Sequence, residues 1–393
     1  MHLAIDPRDR DLARLLVTFS TRVKEGDIAI IECVGSDALG LARACLEEIL
    51  AAGATPYLYF SDPIVTRTML KYGSEAVFKK FGVLQLDIMK HAQVYIGIRG
   101  SDNPFELKGI AQEKLESFSK FVTKPVHLEQ RVKHTRWVVL RYPNASMAQL
   151  AQMSTEEFAD FYYRACLADY PTMKKVGKKL KALMDQTEKV RIIGPGTDLS
   201  FSIAAIPSIL CCGEMNVPDG ECFTAPVRES VEGVVQFNTP SVWEGQPFEN
   251  IRLVFKKGKV VSAEAATPEQ TRKLQSVLDR DRGARYIGEF ALGFHPVIRE
   301  PMRDILFDEK IAGSFHMALG QCYDEAPNGN RSQIHWDLVC IQRPEYGGGE
   351  IWFDGKLVRK DGNFVAKSLQ PLNPAPESTR PEHPKSKHSS RKQ

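Results

Sequence analysis

The sequence predicts an α/β N-terminal domain with a parallel sheet, followed by a β-rich α+β C-terminal domain that carries a metal-binding site. Three observations lead there. Short apolar runs alternate with helix-length amphipathic stretches up to about residue 187, and beyond Val190 strand-length runs crowd together between Gly, Pro and Asn. Every string rich in candidate metal ligands lies in that second segment. At 393 residues the chain exceeds the roughly 250–300 at which one core stops growing, so about two domains are expected. The expected division is 1–187, 188–370 and a tail over 371–393.

The elements follow in order. Residues 27–32 are a short apolar run ending in a Gly-Ser turn. Residues 38–52 carry Leu39, Leu41, Ala42, Cys45, Leu46 and Ile49 at helical spacing until Gly53 stops them. Residues 55–60 and 93–98 are further strands, 105–121 a helical stretch, and 137–141 a strand before Tyr142-Pro143. Residues 153–184 read as mostly helical, with Ser154-Thr155-Glu156-Glu157 as a start and Pro171 as a break. Strand signals then recur at 190–193, 201–203, 233–237, 251–255, 259–263 and 351–357, and Lys257-Gly258 and Asp354-Gly355 make hairpin turns. Gly194-Pro195-Gly196-Thr197 superficially resembles a phosphate loop, but it lacks the third glycine and the Lys-Ser/Thr of the nucleotide fingerprints and reads as a turn. The tail holds five prolines, several cations and no apolar period, so 371–393 is expected to be a disordered, basic, Pro-rich tail.

Composition narrows the function classes. Hydrophobic content of 43% with 26% charged residues is that of a soluble globular chain, and no apolar run approaches the roughly 18 residues of a membrane span. The start, MHLAIDPRDRDLARLL, does not read as a signal peptide, so a cytoplasmic protein without a membrane partner is expected. The net charge of +3 is small and partly due to the tail, which gives no support for nucleic-acid binding. Eight cysteines are scattered without a CxxC pair and read as reduced packing residues, including Cys222 and Cys322 beside candidate ligands.

The candidate ligands are Glu221, Glu289, Glu309, His316, His335 and Asp337. His335 and Asp337 are two apart in an apolar string, so in a strand both project to one face while Ile334, Trp336 and Leu338 pack the other way; a structural His–Asp hydrogen bond is the competing reading. Glu221 follows the Pro218-Asp219-Gly220 turn and opens an apolar run, where a turn carboxylate facing water is the alternative. Glu289 is enclosed by apolar residues and glycines, and a buried glutamate needs a partner, which a metal supplies. Glu309 and His316 bracket Lys310 to Phe315, and His316 taken alone reads more readily as a satisfied core histidine than as a ligand. Tyr323 could donate its phenol to a developing oxyanion or be an ordinary half-buried tyrosine. His2, His383 and His388 are terminal, while His91, His127, His134 and His295 have no carboxylate in a comparable string. Four carboxylates and two imidazoles suit Zn, Co or Mn and exceed what one tetrahedral ion needs; two divalent ions sharing a carboxylate would use them all.

Asn216-Val217-Pro218-Asp219-Gly220-Glu221 running to Pro226, GEFALG at 288–293, FDE at 307–309 with His316 and then ALGxxY ending at Tyr323, and IHxD at 334–337 together resemble the motifs of the metallo-aminopeptidase family of aminopeptidase T and aminopeptidase S. The resemblance runs from the first strand to about residue 368. It implies that the six ligands hold metal, that Tyr323 is an active-site tyrosine, and that the substrates are peptides with a free N-terminus; on the mechanism this suggests, a metal-bridging or adjacent glutamate, Glu289, carries the proton from water to the leaving amine. A homodimer around an enclosed chamber is implied as well. A related group of the same fold has lost most of the carboxylates, holds one iron with two histidines and an aspartate, and opens dihydroxypyridine rings with oxygen. This chain keeps all three glutamates, which disfavours that alternative; a metal-binding homologue without catalysis is the third.

Overall fold

The computed structural model describes residues 4–103 and 105–374. In the N-terminal half β1 (Ile28–Val34), β2 (Thr55–Ser61), β3 (Val94–Arg99) and β4 (Arg136–Arg141) form a parallel sheet in the order β2-β1-β3-β4. The central strands β1 and β3 are apolar along most of their length because helices cover both faces of such a sheet. Helix Leu39–Ala51 makes the first crossover and buries Leu41, Ala42, Cys45 and Ile49, the stripe its spacing predicts.

Two helical expectations are adjusted. The stretch expected over 105–121 begins only at Gln112, and beyond Phe118 it continues as a helix wound wider than an α-helix over Ser119–Arg131. Pro125 lies inside that wide segment, where its missing amide removes one hydrogen bond from the ladder. The stretch over 153–184 divides into Thr155–Cys166, opened by a Ser154/Glu157 capping box, and Tyr170–Asp185. Pro171 sits in the first turn of the second helix, where no intrahelical amide is needed, so the break precedes it.

The second half is strand-rich and antiparallel. It contains β5 (Lys189–Gly194), β6 (Thr197–Ser202), β7 (Ile209–Cys211), β8 (Asn216–Val217), β9 (Glu221–Thr224), β10 (Glu232–Gln236), β11 (Ser241–Trp243), β12 (Gln246–Phe248), β13 (Arg252–Lys256), β14 (Lys259–Glu264), β15 (Ile287–Gly293), β16 (Ser314–Gly320), β17 (His335–Ile341), β18 (Glu350–Phe353), β19 (Lys356–Lys360) and β20 (Asn363–Phe364). One sheet runs β14-β13-β10-β6-β5-β18-β19-β20, and a second runs β17-β16-β15-β9-β7. Pro195-Gly196 is the two-residue turn of the β5–β6 hairpin, with Gly196 at φ +66°, as its composition indicated. Among the described residues no helix is long and apolar enough to cross a membrane.

The two halves interlock more than a boundary at residue 187 suggests. Strand β8 pairs in parallel with β4 and so extends the N-terminal sheet from the C-terminal segment. Ile298, Met302, Phe307 and Ile311 are buried in the N-terminal core, whereas Tyr170, Met173, Val176, Leu180 and Met184 of the helix before the boundary pack with Phe201, Phe290 and Met317. Periodicity identifies an apolar face but does not say which core receives it.

The folded body also reaches past residue 370. Gln370–Leu372 form a turn with Leu372 buried, and the Asn373 side chain accepts from the Phe364 amide at 2.8 Å and donates to its carbonyl at 3.1 Å. The rest of the expected tail, 375–393, lies outside the described residues. A chain ending at Leu369 is therefore expected to lose about 2–4 kcal/mol, from one buried leucine and two hydrogen bonds. One ending at Pro374 should match the full chain in urea unfolding. Equal midpoints for all three would remove any role for Leu372 and Asn373.

Candidate metal centre

Strand register decides which side chains meet. Across the second sheet Glu221 lies opposite Gly293, His316 opposite Ala291, Ala318 opposite both Glu289 and Asp337, and His335 opposite Gly320. Partners across a ladder share a face. That face therefore carries Glu221, Glu289, His316, His335 and Asp337 with only Ala and Gly between them, which leaves the space above the sheet to the long polar side chains. The opposite face presents Cys222, Phe290, Leu292, Phe315, Met317, Leu319, Trp336 and Leu338 to the core.

Glu289 reaches its face through an irregularity. Ile287 pairs with Leu319 and packs in the core, and Glu289, two residues on, would point the same way in a regular strand. The register shifts between them, so Gly288 is an extra residue that turns Glu289 over to face the histidines. Only glycine fits, because a Cβ at 288 would lie 2.3 Å from the Gln321 carbonyl oxygen.

The geometry is that of two ligand groups sharing a carboxylate. Glu289 Oε1 lies 3.4 Å from His316 Nε2, and its Oε2 lies 3.2 Å from His335 Nε2. Glu221 Oε2 is 3.4 Å from His316 Nε2, and Asp337 Oδ1 is 3.5 Å from His335 Nε2. Ligand atoms of Glu221, Glu289 and His316 lie within 4.8 Å of one another, as do those of Glu289, His335 and Asp337, and those of Glu309, His316 and Asp337. The six residues singled out in the sequence thus converge. Each imidazole is oriented from behind, with His316 Nδ1 donating to the Glu309 carbonyl at 3.1 Å and His335 Nδ1 to that of Gln321 at 2.8 Å. Both Nε2 atoms are thereby turned inward, where a cation can take the place of their protons. Glu221 Oε2, His335 Nε2 and Asp337 Oδ1 are buried with no hydrogen-bond partner. Converging orphaned acceptors are what a bound cation satisfies, so this donor set fits divalent ions.

Titration behaviour reflects the crowding of charge. Burial works against the protonated imidazoles, but Glu289 and Glu221 carry His316 up to about 9, and Asp337 with Glu289 carries His335 up to about 12. Burial pushes Glu309 up to about 8 despite the cation beside it. Burial alone would raise Asp337, yet His335 holds it down at about 2. Burial acts likewise on Glu289, and the two imidazoles facing it reverse the effect. Protons compete for this site when cations are withheld.

Two residues escaped the sequence reading. Lys310 is fully buried, with Nζ 2.7 Å from Glu221 Oε1, in contact with Glu309 Oε1, and 3.7 Å from Asp219 Oδ1. Asp219, read only as a turn residue, is buried as well and accepts the Gly213 and Gly220 amides at 2.8 and 2.9 Å. The available signal was a lysine following Asp308-Glu309 inside an otherwise apolar string. Tyr323 stands at the rim, 45% exposed, with its ring 4.7 Å from that of His335 and 5.4 Å from that of Phe223. Cys222 packs in the core, and buried Cys322 donates to the Asn330 carbonyl at 3.2 Å. His295 is a structural histidine, with Nε2 3.0 Å from the Ala165 carbonyl and Nδ1 accepting the Val297 and Ile298 amides.

A parallel α/β unit joined to a β-rich unit, whose sheet face carries three carboxylates and two imidazoles with Glu309 beside them, has the donor set of a metal-dependent enzyme. The thermophilic metalloprotease (M29) family model matches residues 6–364, and the chain belongs to that family. Among its relatives, aminopeptidase T of Thermus aquaticus is 26% identical, the alignment covering 90% of this chain and 95% of the relative. Aminopeptidase PepS of Streptococcus thermophilus is 25% identical, covering 90% and 94%. The solved structure of AmpT from Thermus thermophilus superposes with a TM-score of 0.77 at 24% identity over 92% of this chain and 100% of that one. A 2,5-dihydroxypyridine dioxygenase from Pseudomonas putida KT2440 shares the fold with a TM-score of 0.60 at 14% identity, covering 93% and 99%.

Proposed function

We propose that the chain is an aminopeptidase that removes N-terminal residues from peptides at a centre of two divalent ions, Zn, Co or Mn. The observation that carries this reading is Glu289, whose two carboxylate oxygens each face a different histidine. Glu221 with His316 would hold one ion and Asp337 with His335 the other, with Glu289 shared and Glu309 completing the set. When bound, such ions supply Lewis acidity to the scissile carbonyl and to the attacking water.

The side chains then divide the remaining work. Glu289, central and buried, is placed to take the proton of the attacking water and pass it to the leaving amine. Tyr323 at the rim presents its hydroxyl to the developing oxyanion. Tyr323→Phe is expected to lower kcat by about 100–1,000-fold with unchanged metal content, on the scale of losing one hydrogen bond to a transition-state oxyanion. Unaltered kcat would relieve Tyr323 of that role.

The purified chain with added Co(II) should hydrolyse aminoacyl amides and peptides with a free N-terminus, spare N-blocked peptides, and stop on chelation. Oxygen consumption by the iron-loaded protein without peptidase activity would replace this reading with the ring-opening dioxygenase. Full metal occupancy with no turnover would leave a metal-binding homologue. A cytoplasmic homodimer belongs to the same reading, on the family pattern, and sedimentation of the purified protein tests the assembly.

A further inference from the structure

We infer that Lys310 is a built-in cation that positions two ligands and limits the centre to two metal ions; this rests on the dinuclear reading above. Three groups of candidate ligands surround the histidines, and a fourth, Cys211 with Asp219 and Glu221, lies on the same sheet beside them. That fourth group is filled from within the chain. The Lys310 ammonium lies against Asp219 and Glu221 and also touches Glu309, with no exposed surface.

Its contacts divide the oxygens of Glu221. Oε1 takes the ammonium at 2.7 Å, while Oε2 is left without a hydrogen bond, 3.4 Å from His316 Nε2. Glu309 is treated likewise at its own Oε1. Lysine thereby fixes which oxygen of each carboxylate is offered to a metal and opposes two-oxygen binding by either. Charge points the same way. Asp219, Glu221, Glu289, Glu309 and Asp337 set five carboxylates against one ammonium, and the four remaining negative charges match two divalent ions.

The lysine backbone is held as firmly as its head group. Lys310 N–H donates to the Phe307 carbonyl at 3.0 Å, and the Lys310 carbonyl accepts from the His295 amide at 2.9 Å. On the far side, a Cβ at Gly220 would lie 3.0 Å from His295 Cα, so the turn bearing Asp219 and Glu221 packs directly against the segment that pins Lys310. The ammonium is a fixed point between two parts of the centre that are far apart in sequence. Lys310 is a positioning residue, since it reaches neither the rim nor Tyr323.

The test compares wild type, Lys310→Met and the charge-balanced double variant Lys310→Met/Asp219→Asn, each titrated with cobalt(II) chloride. Wild type should bind two Co(II) per chain. Lys310→Met should bind about 10–100-fold more weakly, the range expected when a group that orients ligands is removed. Its visible Co(II) absorption should change, and kcat should fall with little change in KM. If the single variant does not fold, the double variant decides, because its charge again matches two ions: it should fold, yet keep the weakened affinity and altered spectrum. Wild-type Co(II) affinity and spectrum in either folded variant would overturn the inference, as would failure of both to fold, which assigns the lysine to folding alone. Wild-type protein that binds two ions but cleaves no peptide would sink the peptidase reading and leave Lys310 in its role. Wild-type protein binding a single ion would sink the dinuclear reading.

Discussion

Glu289→Gln is expected to lower kcat/KM by at least about 100-fold while the fold survives, the low end of what a positioned proton-transfer group contributes. Glu289 is 3% exposed, and each of its carboxylate oxygens faces the Nε2 of a different imidazole. Glutamine keeps the shape and one acceptor oxygen, but it puts an NH2 where the second acceptor was and cannot take a proton at neutral pH. Metal retention should drop partially and turnover drastically. His335→Ala differs in kind, because it removes a ligand atom outright and should show first as lost metal content. Measured together, Co(II) stoichiometry, kcat/KM and melting temperature separate the two effects. Wild-type turnover in Glu289→Gln would remove the glutamate from the reaction.

Stripping the metal should destabilise the protein progressively more as pH rises from about 5 to about 9. Glu309 and Asp219 titrate in the metal-free fold at about 8 and about 7, both raised by burial above the carboxylate values of 4.5 and 3.8. A raised carboxylate is protonated in both states at low pH, and stability is lost as pH climbs through the window between its unfolded and folded values. For these two groups that window runs from about 4 to about 8. His316, raised from 6.5 to about 9, acts in the same direction, since the stabilisation of its imidazolium is complete below 6.5 and gone above 9. Bound cations need Glu309 and His316 deprotonated, so the metal-loaded form is spared the loss at these two groups. At a metal concentration 1,000 times Kd the difference is about 4 kcal/mol, or on the order of 10 °C in melting temperature. His127 is buried in the N-terminal half, lowered to about 4 by burial, and weakens both forms in acid, so it cancels in the comparison. The measurement is the gap in melting temperature between Co(II)-loaded and chelator-treated protein across that range. A gap independent of pH would mean that Glu309 and His316 are not where the metal goes.

The residues that converge at the candidate centre were legible in the sequence because they interrupt apolar strings where an unpaired charge is costly. Glu289 between Gly288 and Phe290, and His335 with Asp337 at a spacing of two, announce themselves in that way. The alternation of strands and helices up to residue 187 was equally plain, since a parallel sheet covered on both faces needs continuous apolar runs. Local composition could not say which face of a strand Glu289 would take. A one-residue bulge at Gly288 reverses it, and the bulge is defined only against Leu319 and Ala318 on the neighbouring strand.

Tertiary structure alone also decided the partners of Lys310 and the composition of the two cores. Glu221 and Lys310 are 89 residues apart, and nothing in either string specifies that one will neutralise the other. The helix 170–185 and the segment 298–311 carry clear apolar faces, yet each packs into the core of the other half. A chain's periodicity fixes which side chains must leave water, because that cost is local and depends only on the residues themselves. Which surface receives them, and which buried charges meet, depends on contacts between distant segments that exist only once the sheets have formed.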